Sequence, residues 1–166
     1  MQVNNKEIYF KKAFDKYSKD IFRYVKSKIS TTENAEDITS DVFIKFWYKI
    51  SDDQKILNDK AMLYTIAHGL VIDHYRKKNA SVSIDDIDQK YLSKEAGLEK
   101  NLILSDEISE LKSKMSKLKQ EYTDILELYY IEQLDISEIS SILNKKEGTV
   151  RVLAHRALSS LKKLYE

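Results

Sequence analysis

The chain has 166 residues, with 28 Lys or Arg against 27 Asp or Glu, so its formal net charge is +1. This length suits one ordinary domain or two small ones. Near-neutrality excludes a uniformly basic nucleic-acid coat protein but leaves room for a locally basic face. The chain contains no Cys, which excludes disulfides, thiolate metal sites and a Cys nucleophile. Pro is absent and Gly occurs only three times, and this favours an all-α fold.

The sequence gives no indication of a membrane segment or an export signal. No apolar run approaches the roughly 18 residues that cross a bilayer. The first residues also lack the apolar core of a signal peptide. We therefore expect a cytoplasmic protein.

In the first half of the chain, apolar residues recur with a period close to 3.6. This pattern predicts three helices, over 6–29, 33–50 and 60–78. The second helix is expected to begin after an N-cap at Thr31 or Thr32, and the third after Asn58 or Asp59. A polar loop separates these two helices.

An acidic segment separates the two halves. Residues 85–110 hold eight acids and three bases, and the stretch near 81–88 is poor in helix formers. We interpret 80–97 as a linker and expect helix again from about residue 98. The prediction is therefore two small helical domains, 1–79 and 98–166. A solvated helical hairpin inside a single domain is the alternative.

The end of the chain has the pattern of a helix-turn-helix. Asp135 can cap a first helix, and the small Ser140 allows a second helix to cross closely. Asn144 tolerates the left-handed conformation of the turn. Val150 is expected to anchor the second helix, over about 148–165, against the first. Such a second helix lies in the DNA major groove.

The charge of this region agrees with nucleic-acid binding. Residues 145–163 hold six bases and one acid, which is typical of a phosphate-contacting surface. The alternative is a plain helical hairpin with a solvated basic face. One helix before this pair is indicated by the apolar residues Leu118, Tyr122, Ile125, Leu126 and Tyr129.

Nearly the whole chain resembles a bacterial sigma-70 family RNA polymerase sigma factor of the short, two-domain extracytoplasmic-function type. The resemblance rests on four pieces in the order and spacing of the family. These are FDKY at 14–17; AEDITSDVFIKFW at 35–47; LYTIA at 63–67 with IDHYRKK at 72–78; and GTVR at 148–151 with Arg156 and Ala157. The resemblance implies a region 2-like helical bundle and a region 4-like helix-turn-helix.

The resemblance also implies the function and the partners. The protein would bind core RNA polymerase, direct it to promoter DNA and help to open the duplex. The N-terminal domain would read the minus-ten element, the C-terminal domain the minus-thirty-five element, and the acidic linker would follow the RNA path of the polymerase. An anti-sigma factor is a further expected partner, whereas no cofactor, metal or membrane insertion is implied.

The second helix carries acids on one face. Glu33, Asp37 and Asp41 are spaced i, i+4, i+8, so they lie on one helix face and repel one another. A basic partner or solvent must compensate for this repulsion. The resemblance supplies a partner, the coiled coil of the largest polymerase subunit, with Asp37, Ser40 and Asp41 as the docking residues. The family usually has Gln at the place of Ser40. A solvated or partly paired acidic face and a carboxylate metal site are the alternatives.

For the minus-ten element, the resemblance points to the third helix. Phosphate contacts are expected from Lys60, Arg76, Lys77 and Lys78, and contacts to bases or sugar from Tyr64 and His74. The chain departs from the family with Met62, His68 and Gly69. The loop 51–58 matches the family segment that captures a flipped-out base. Since it contains no aromatic residue, we expect a polar pocket.

For the minus-thirty-five element, the expected contacts are Lys146, Thr149, Arg151, His155 and Arg156. Arg can pair bidentately with guanine in the major groove. Val152, Leu153 and Leu158 stand where the family has polar or basic residues, so base reading falls mainly on Arg151, His155 and Arg156. For His155, an exposed position without a DNA contact is the alternative.

An enzyme is not expected. His68 and His74 are six positions apart, which is the wrong spacing for a helical metal pair, and phosphate-loop, dinucleotide and nucleophile-elbow motifs are absent. We interpret Trp47 and the pair Tyr129 and Tyr130 as packing residues. Two rival functions remain: a helix-turn-helix repressor or activator that binds DNA as a dimer without polymerase, and a helical protein-interaction module.

Overall fold

A computed structural model describes residues 2–79 and 106–166. Within these ranges the chain forms seven α-helices and no strand, which confirms the all-α prediction. The helices are α1 (Val3–Lys26), α2 (Thr32–Ser51), α3 (Asp59–Lys78), α4 (Asp106–Met115), α5 (Gln120–Leu126), α6 (Ile136–Leu143) and α7 (Glu147–Lys163); a π-helical turn, Glu127–Ile131, continues α5. The described residues fall into two compact units. The predicted linker at 80–97 and the helix start near 98 lie outside the described residues.

The N-terminal unit is a bundle of α1, α2 and α3 around one core. Its most deeply buried side chains come from all three helices: Ile21, Val25, Val42, Phe46, Leu63 and Val71. Aromatic rings reinforce the contact between α1 and α2, since Phe10 meets Trp47 edge-on with ring centroids 5.5 Å apart. Close packing of this kind holds α2 and α3 in a fixed relation, and these two helices carry the surfaces described below.

Local capping rules set the starts of α2 and α3. The Thr31 hydroxyl accepts a hydrogen bond from the Asn34 amide at 3.2 Å, and the Asn58 side chain accepts one from the Ala61 amide at 2.9 Å. Both predicted N-caps are therefore confirmed. The end of α1 was predicted three residues too late, because Ile29 is buried in the turn that follows the helix. Apolar periodicity does not separate a helical residue from a buried turn residue.

The C-terminal unit packs α4, α5 and α7 around Met115, Leu126 and Ala157. Leu118 lies in the turn before α5 rather than inside it. The Thr123 hydroxyl donates to the Met115 carbonyl at 3.0 Å and ties α5 to the end of α4. Tyr129 and Tyr130 are 38% and 48% exposed, so they do not belong to the core of this unit. Both belong to the π-helical turn, whose altered period moves side chains off the face that a continuous α-helix would bury.

Helices α6 and α7 form the predicted helix-turn-helix. The Asp135 side chain accepts from the Glu138 amide, and the Glu138 side chain accepts from the Asp135 amide, each at 2.8 Å. Asn144 adopts the left-handed conformation, with φ 52° and ψ 48°. The Ser140 hydroxyl donates to the Lys145 carbonyl and closes the turn. Val150 is fully buried, so the predicted anchor is confirmed.

Candidate polymerase and nucleic-acid interfaces

The acidic face of α2 consists of Glu33, Asp37 and Asp41, with Ser40 beside them. All four side chains are exposed, whereas Ala35, Ile38 and Val42 of the same helix are buried. Within the described residues, no ion pair engages Asp37 or Asp41. Among the described residues, only solvent therefore offsets the repulsion along this face, and a basic partner would relieve it.

A groove of about 490 Å³ lies between α2 and α3. We call it the α2–α3 groove, and its lining comes from both helices and the loop between them: Lys45, Tyr48, Lys49, Asp52, Gln54, Met62, Thr65, Ile66, Gly69, Leu70 and Asp73. The prediction of a polar pocket is therefore incomplete. Met62, Ile66 and Leu70 supply an apolar floor, and the 60% exposed Tyr48 supplies an aromatic ring.

Tyr48 and its two lysine neighbours were not predicted from the sequence. The loop contains no aromatic residue, and the ring comes instead from the last turns of α2. An available indication was the spacing of Lys45, Tyr48, Lys49 and Asp52, which places polar and aromatic residues on one exposed helical face. Only the packing of α3 against α2 turns that face into the wall of a groove.

The loop at the mouth of the groove, residues 52–58, begins with a tight turn. Asp53 has a φ of 53°, in the left-handed region. The Gln54 amide donates to the Lys49 carbonyl at 3.0 Å, and the Lys49 ammonium donates to the Gln54 side-chain oxygen at 3.3 Å. These bonds hold Gln54 at the edge of the groove, where its amide group can meet the polar edge of a base.

The predicted phosphate contacts of α3 fall into two groups. Arg76, Lys77 and Lys78 are exposed at its C-terminal end, and the partly buried Lys60 lies in its first turn. At 1.5 Å per residue, about 24 Å of helix separates Lys60 from Arg76. The structure therefore does not bring them to one contact point, and only a strand that follows the helix could reach both groups.

Tyr64 requires a correction. Its side chain is fully buried and meets Tyr24 edge-on, with ring centroids 5.2 Å apart. A side chain in the bundle core cannot reach DNA, so the expected contact is wrong for this conformation. His68, one turn further along α3, lies 3.2 Å from the Tyr24 hydroxyl through Nδ1. His68, one of the positions at which the chain departs from the family, thus contributes to the packing of α3 on α1.

His74 lies half-buried near the basic end of α3. Burial lowers the pKa of its imidazole below the ordinary value, and the charges of Lys78 and then Lys77 lower it further. Its ring meets Tyr75 edge-on at 5.2 Å. The lowered pKa disfavours the charged imidazolium at this position, and nearby negative charge would act in the opposite direction.

Helix α7 presents all five predicted minus-thirty-five residues on its solvent side. Lys146 is the N-cap, and Thr149, Arg151, His155 and Arg156 are exposed. The guanidinium of Arg151 pairs with Glu147 at 3.3 Å, one turn earlier. Leu153 is 8% exposed, so this departure from the family pattern packs into the domain and does not face the solvent side.

Among the residues that the structure describes, no group of three His, Asp or Glu side chains could hold a metal ion, so the carboxylate metal site on α2 finds no support. No helix in the same ranges is long and apolar enough to cross a membrane.

Two family models match the chain, Sigma-70 region 2 over residues 13–81 and Sigma-70, region 4 over residues 108–161. The extracytoplasmic-function RNA polymerase sigma factor SigM of Bacillus subtilis is 30% identical over 159 residues, covering 92% of each protein. The corresponding sigma factor BldN of Streptomyces coelicolor is 25% identical over 157 residues; the match covers 93% of this chain but 60% of BldN.

A solved structure has the same fold. The sigma factor RpoE of Bartonella quintana, in complex with the anti-sigma factor NepR, matches with a TM-score of 0.73 at 22% identity. The match covers 94% of this chain and 96% of RpoE. With both family models and a full-length relative in agreement, the chain belongs to the extracytoplasmic-function sigma factors, which bind core RNA polymerase and direct promoter-specific transcription initiation.

Proposed function

We propose that three surfaces divide the work of this sigma factor. The acidic face of α2, with Ser40, docks on core polymerase. The α2–α3 groove and the basic end of α3 capture the minus-ten strand, and the exposed side of α7 reads the minus-thirty-five duplex. In this proposal, residues 1–79 and 98–166 are the two functional domains and 80–97 is the acidic connector.

The observation that carries the proposal is the change of chemistry along α2. Its N-terminal half exposes Glu33, Asp37 and Asp41, whereas its C-terminal half exposes Lys45 and Tyr48 on the same side. The acidic half repels DNA phosphates and suits a basic protein surface. The basic and aromatic half suits a nucleic-acid strand. One rigid helix can therefore hold polymerase and DNA at adjacent places.

The groove has the chemistry that an unstacked base requires. An apolar floor accepts the face of the ring, while Gln54 and Asp73 offer hydrogen bonds to its edge. Lys45 and Lys49 on the rim can neutralise the flanking phosphates. Tyr48 is placed to stack on the captured base or on its neighbour.

The proposal includes no covalent chemistry. Opening of the promoter duplex is driven by binding of the captured base, because a base held in the groove no longer pairs in the duplex. The protein would act in the cytoplasm, where bacterial polymerase and promoters meet. An anti-sigma factor is a further proposed partner, supported by the complex in which the similar RpoE was solved.

The test of the docking surface is a charge reversal. Asp37→Lys with Asp41→Lys places two cations opposite the proposed basic partner, and we expect affinity for core polymerase to fall by at least about 100-fold, as for desolvated charge pairs. Glu7→Lys with Asp15→Lys, at two exposed positions of α1, is the control for overall charge. Binding is measured with labelled protein and purified core enzyme, and circular dichroism checks the fold. Equal affinities for the two double variants would refute the docking assignment.

A further inference from the structure

Helix α1 holds the start of the loop 52–58. The Lys6 ammonium donates to the Ser51 carbonyl at 2.8 Å and to the Asp53 carboxylate at 2.9 Å. The Lys6 side chain is only 12% exposed, whereas that of Asp53 is 60% exposed. A largely buried ammonium depends on its acceptors, so Lys6 ties this turn to the bundle.

Helix α1 also holds the end of the loop. The Tyr9 hydroxyl donates to the Asp59 carboxylate, at the first residue of α3. The Tyr9 ring packs on Phe46 of α2 with centroids 6.3 Å apart. Burial and then the bond to Asp59 raise the pKa of Tyr9 above its ordinary value, so the hydroxyl remains a donor at any physiological pH.

The loop is bonded to the end of α2 through the Asp53 and Gln54 amides and the Gln54 side chain, but several of its side chains lie in solvent. Asp52, Lys55 and Leu57 are exposed, Leu57 to 85%. Asp53 adopts a left-handed conformation that is uncommon for a side-chain-bearing residue. A loop of this kind samples other shapes unless its ends are fixed. The contacts from α1 at both ends of the loop add to the restraint that the bonds to α2 provide.

The restrained turn borders the α2–α3 groove. Asp52 and Gln54 line the groove on either side of Asp53, the residue that Lys6 holds. Any movement of Asp53 therefore shifts both lining residues. Lys6 and Tyr9 are not among the groove's lining residues, so their influence on a bound strand would be indirect.

We propose that Lys6 and Tyr9, here called the α1 clamp, are positioning residues that fix the loop edge of the groove for DNA strand capture. This inference rests on the proposed function of the groove. The clamp itself can be tested in the isolated protein, and its effect on capture can be tested in the complete polymerase.

The first measurement is hydrogen exchange on the full chain. The Asp53 and Gln54 amides donate to the Ile50 and Lys49 carbonyls at 3.1 and 3.0 Å, so we expect both amides to be protected from exchange. Lys6→Met keeps much of the side-chain length but removes both donated bonds, and we expect exchange of these amides to rise by about fivefold or more. Lys6→Arg should restore most of the protection. Lys11→Met, an exposed lysine on the same helix, is the matched control.

The second measurement is promoter opening by the reconstituted polymerase, followed by 2-aminopurine fluorescence in the minus-ten element. Lys6→Met and Tyr9→Phe should each slow opening by about threefold to tenfold, the range expected for a lost hydrogen bond. Affinity for core enzyme should stay within about twofold of the wild type. Tyr9→Phe removes a single hydroxyl, so it tests the clamp even if Lys6→Met unfolds.

The outcomes separate the clamp from the function it serves. Unchanged exchange in Lys6→Met and unchanged opening in Tyr9→Phe would each overturn the clamp. Raised exchange with normal opening would reduce it to a structural contact and overturn the positioning role. If the wild-type protein opens no promoter while Lys6→Met exchanges faster, the proposed function fails, and with it the role of the clamp in capture.

Discussion

The two proposed nucleic-acid surfaces, the α2–α3 groove and the exposed side of α7, differ in shape and in chemistry. The groove is concave, has an apolar floor, and mixes two lysines with Asp52 and Asp73. The α7 surface is a convex helix with Arg151 and Arg156 in solvent. The first suits a base taken out of the stack, and the second suits base edges in an intact major groove. The contrast indicates that strand capture and duplex reading are separable by mutation.

The largest effect on capture is expected from Tyr48→Ala. Loss of a stacking ring should weaken binding of a single-stranded minus-ten oligonucleotide to the polymerase complex by about 1–3 kcal/mol. Binding to the minus-thirty-five duplex should not change. Ile44→Ala, also an exposed α2 residue but outside the groove lining, is the control. Fluorescence anisotropy with both DNAs measures the two affinities, and parallel losses in both would contradict separate surfaces.

The converse variant is Arg151→Ala. If Arg151 pairs with a guanine, its loss should cost about 1–3 kcal/mol at the preferred upstream sequence and relax the preference at one base position. Capture of the minus-ten strand should remain intact. Lys162→Ala removes the same charge from the last turn of α7 and serves as the control. Competition binding over single-base variants of the element is the measurement; an unchanged preference would show that Arg151 only contacts the backbone.

Gly69→Ala should have smaller effects, which are opposite for stability and for DNA binding. A Cβ at Gly69 meets nothing within 4 Å, so the helix should be stabilised by about 1 kcal/mol. Since Gly69 lines the groove, the added methyl group should at the same time weaken minus-ten binding. Gly148→Ala is a matched control, because its Cβ also meets nothing within 4 Å and it lies in α7. Thermal unfolding and strand binding are measured together; undiminished strand binding by Gly69→Ala would show that DNA does not approach this part of α3.

The smallest expected effect is a pH dependence of the affinity for the minus-ten strand, which involves only the N-terminal unit. Burial, followed by Lys78 and Lys77, lowers the pKa of His74 in the free protein. A phosphate at the end of α3 would raise that pKa, so binding would take up a proton. Affinity for the minus-ten strand should then rise a few-fold as the pH falls from about 7.5 to about 6. His74→Asn should abolish the rise, and an identical pH profile in this variant would assign the dependence to another group.

Capping and turn preferences of neighbouring residues predicted most of the helix boundaries that were tested. The caps at Thr31, Asn58 and Asp135 and the left-handed Asn144 depend on a few neighbouring residues, so the sequence identifies them. The resemblance to sigma factors added the family assignment, which the comparisons confirm. The residue-level assignments to polymerase and to DNA stay predictions.

The features that the sequence did not predict arise from tertiary packing or from a rare helix type. Tyr64 is buried because α1 covers that side of α3, and Tyr48 becomes a groove residue only where α3 packs on α2. Tyr129 and Tyr130 are exposed by a π-helical turn, which hydrophobic periodicity does not reveal. Lys6 is 47 residues from Asp53 along the chain, so no local pattern connects them.

Run-off transcription tests the central claim most directly. Purified core RNA polymerase is supplied with promoter fragments from the host, with and without this protein, and the transcripts are mapped. The account predicts transcripts from a discrete promoter set that depend on the protein and disappear with Asp37→Lys plus Asp41→Lys. Equal transcription by core enzyme alone, together with binding of the protein to duplex DNA as a dimer, would contradict the account and support a repressor or activator instead.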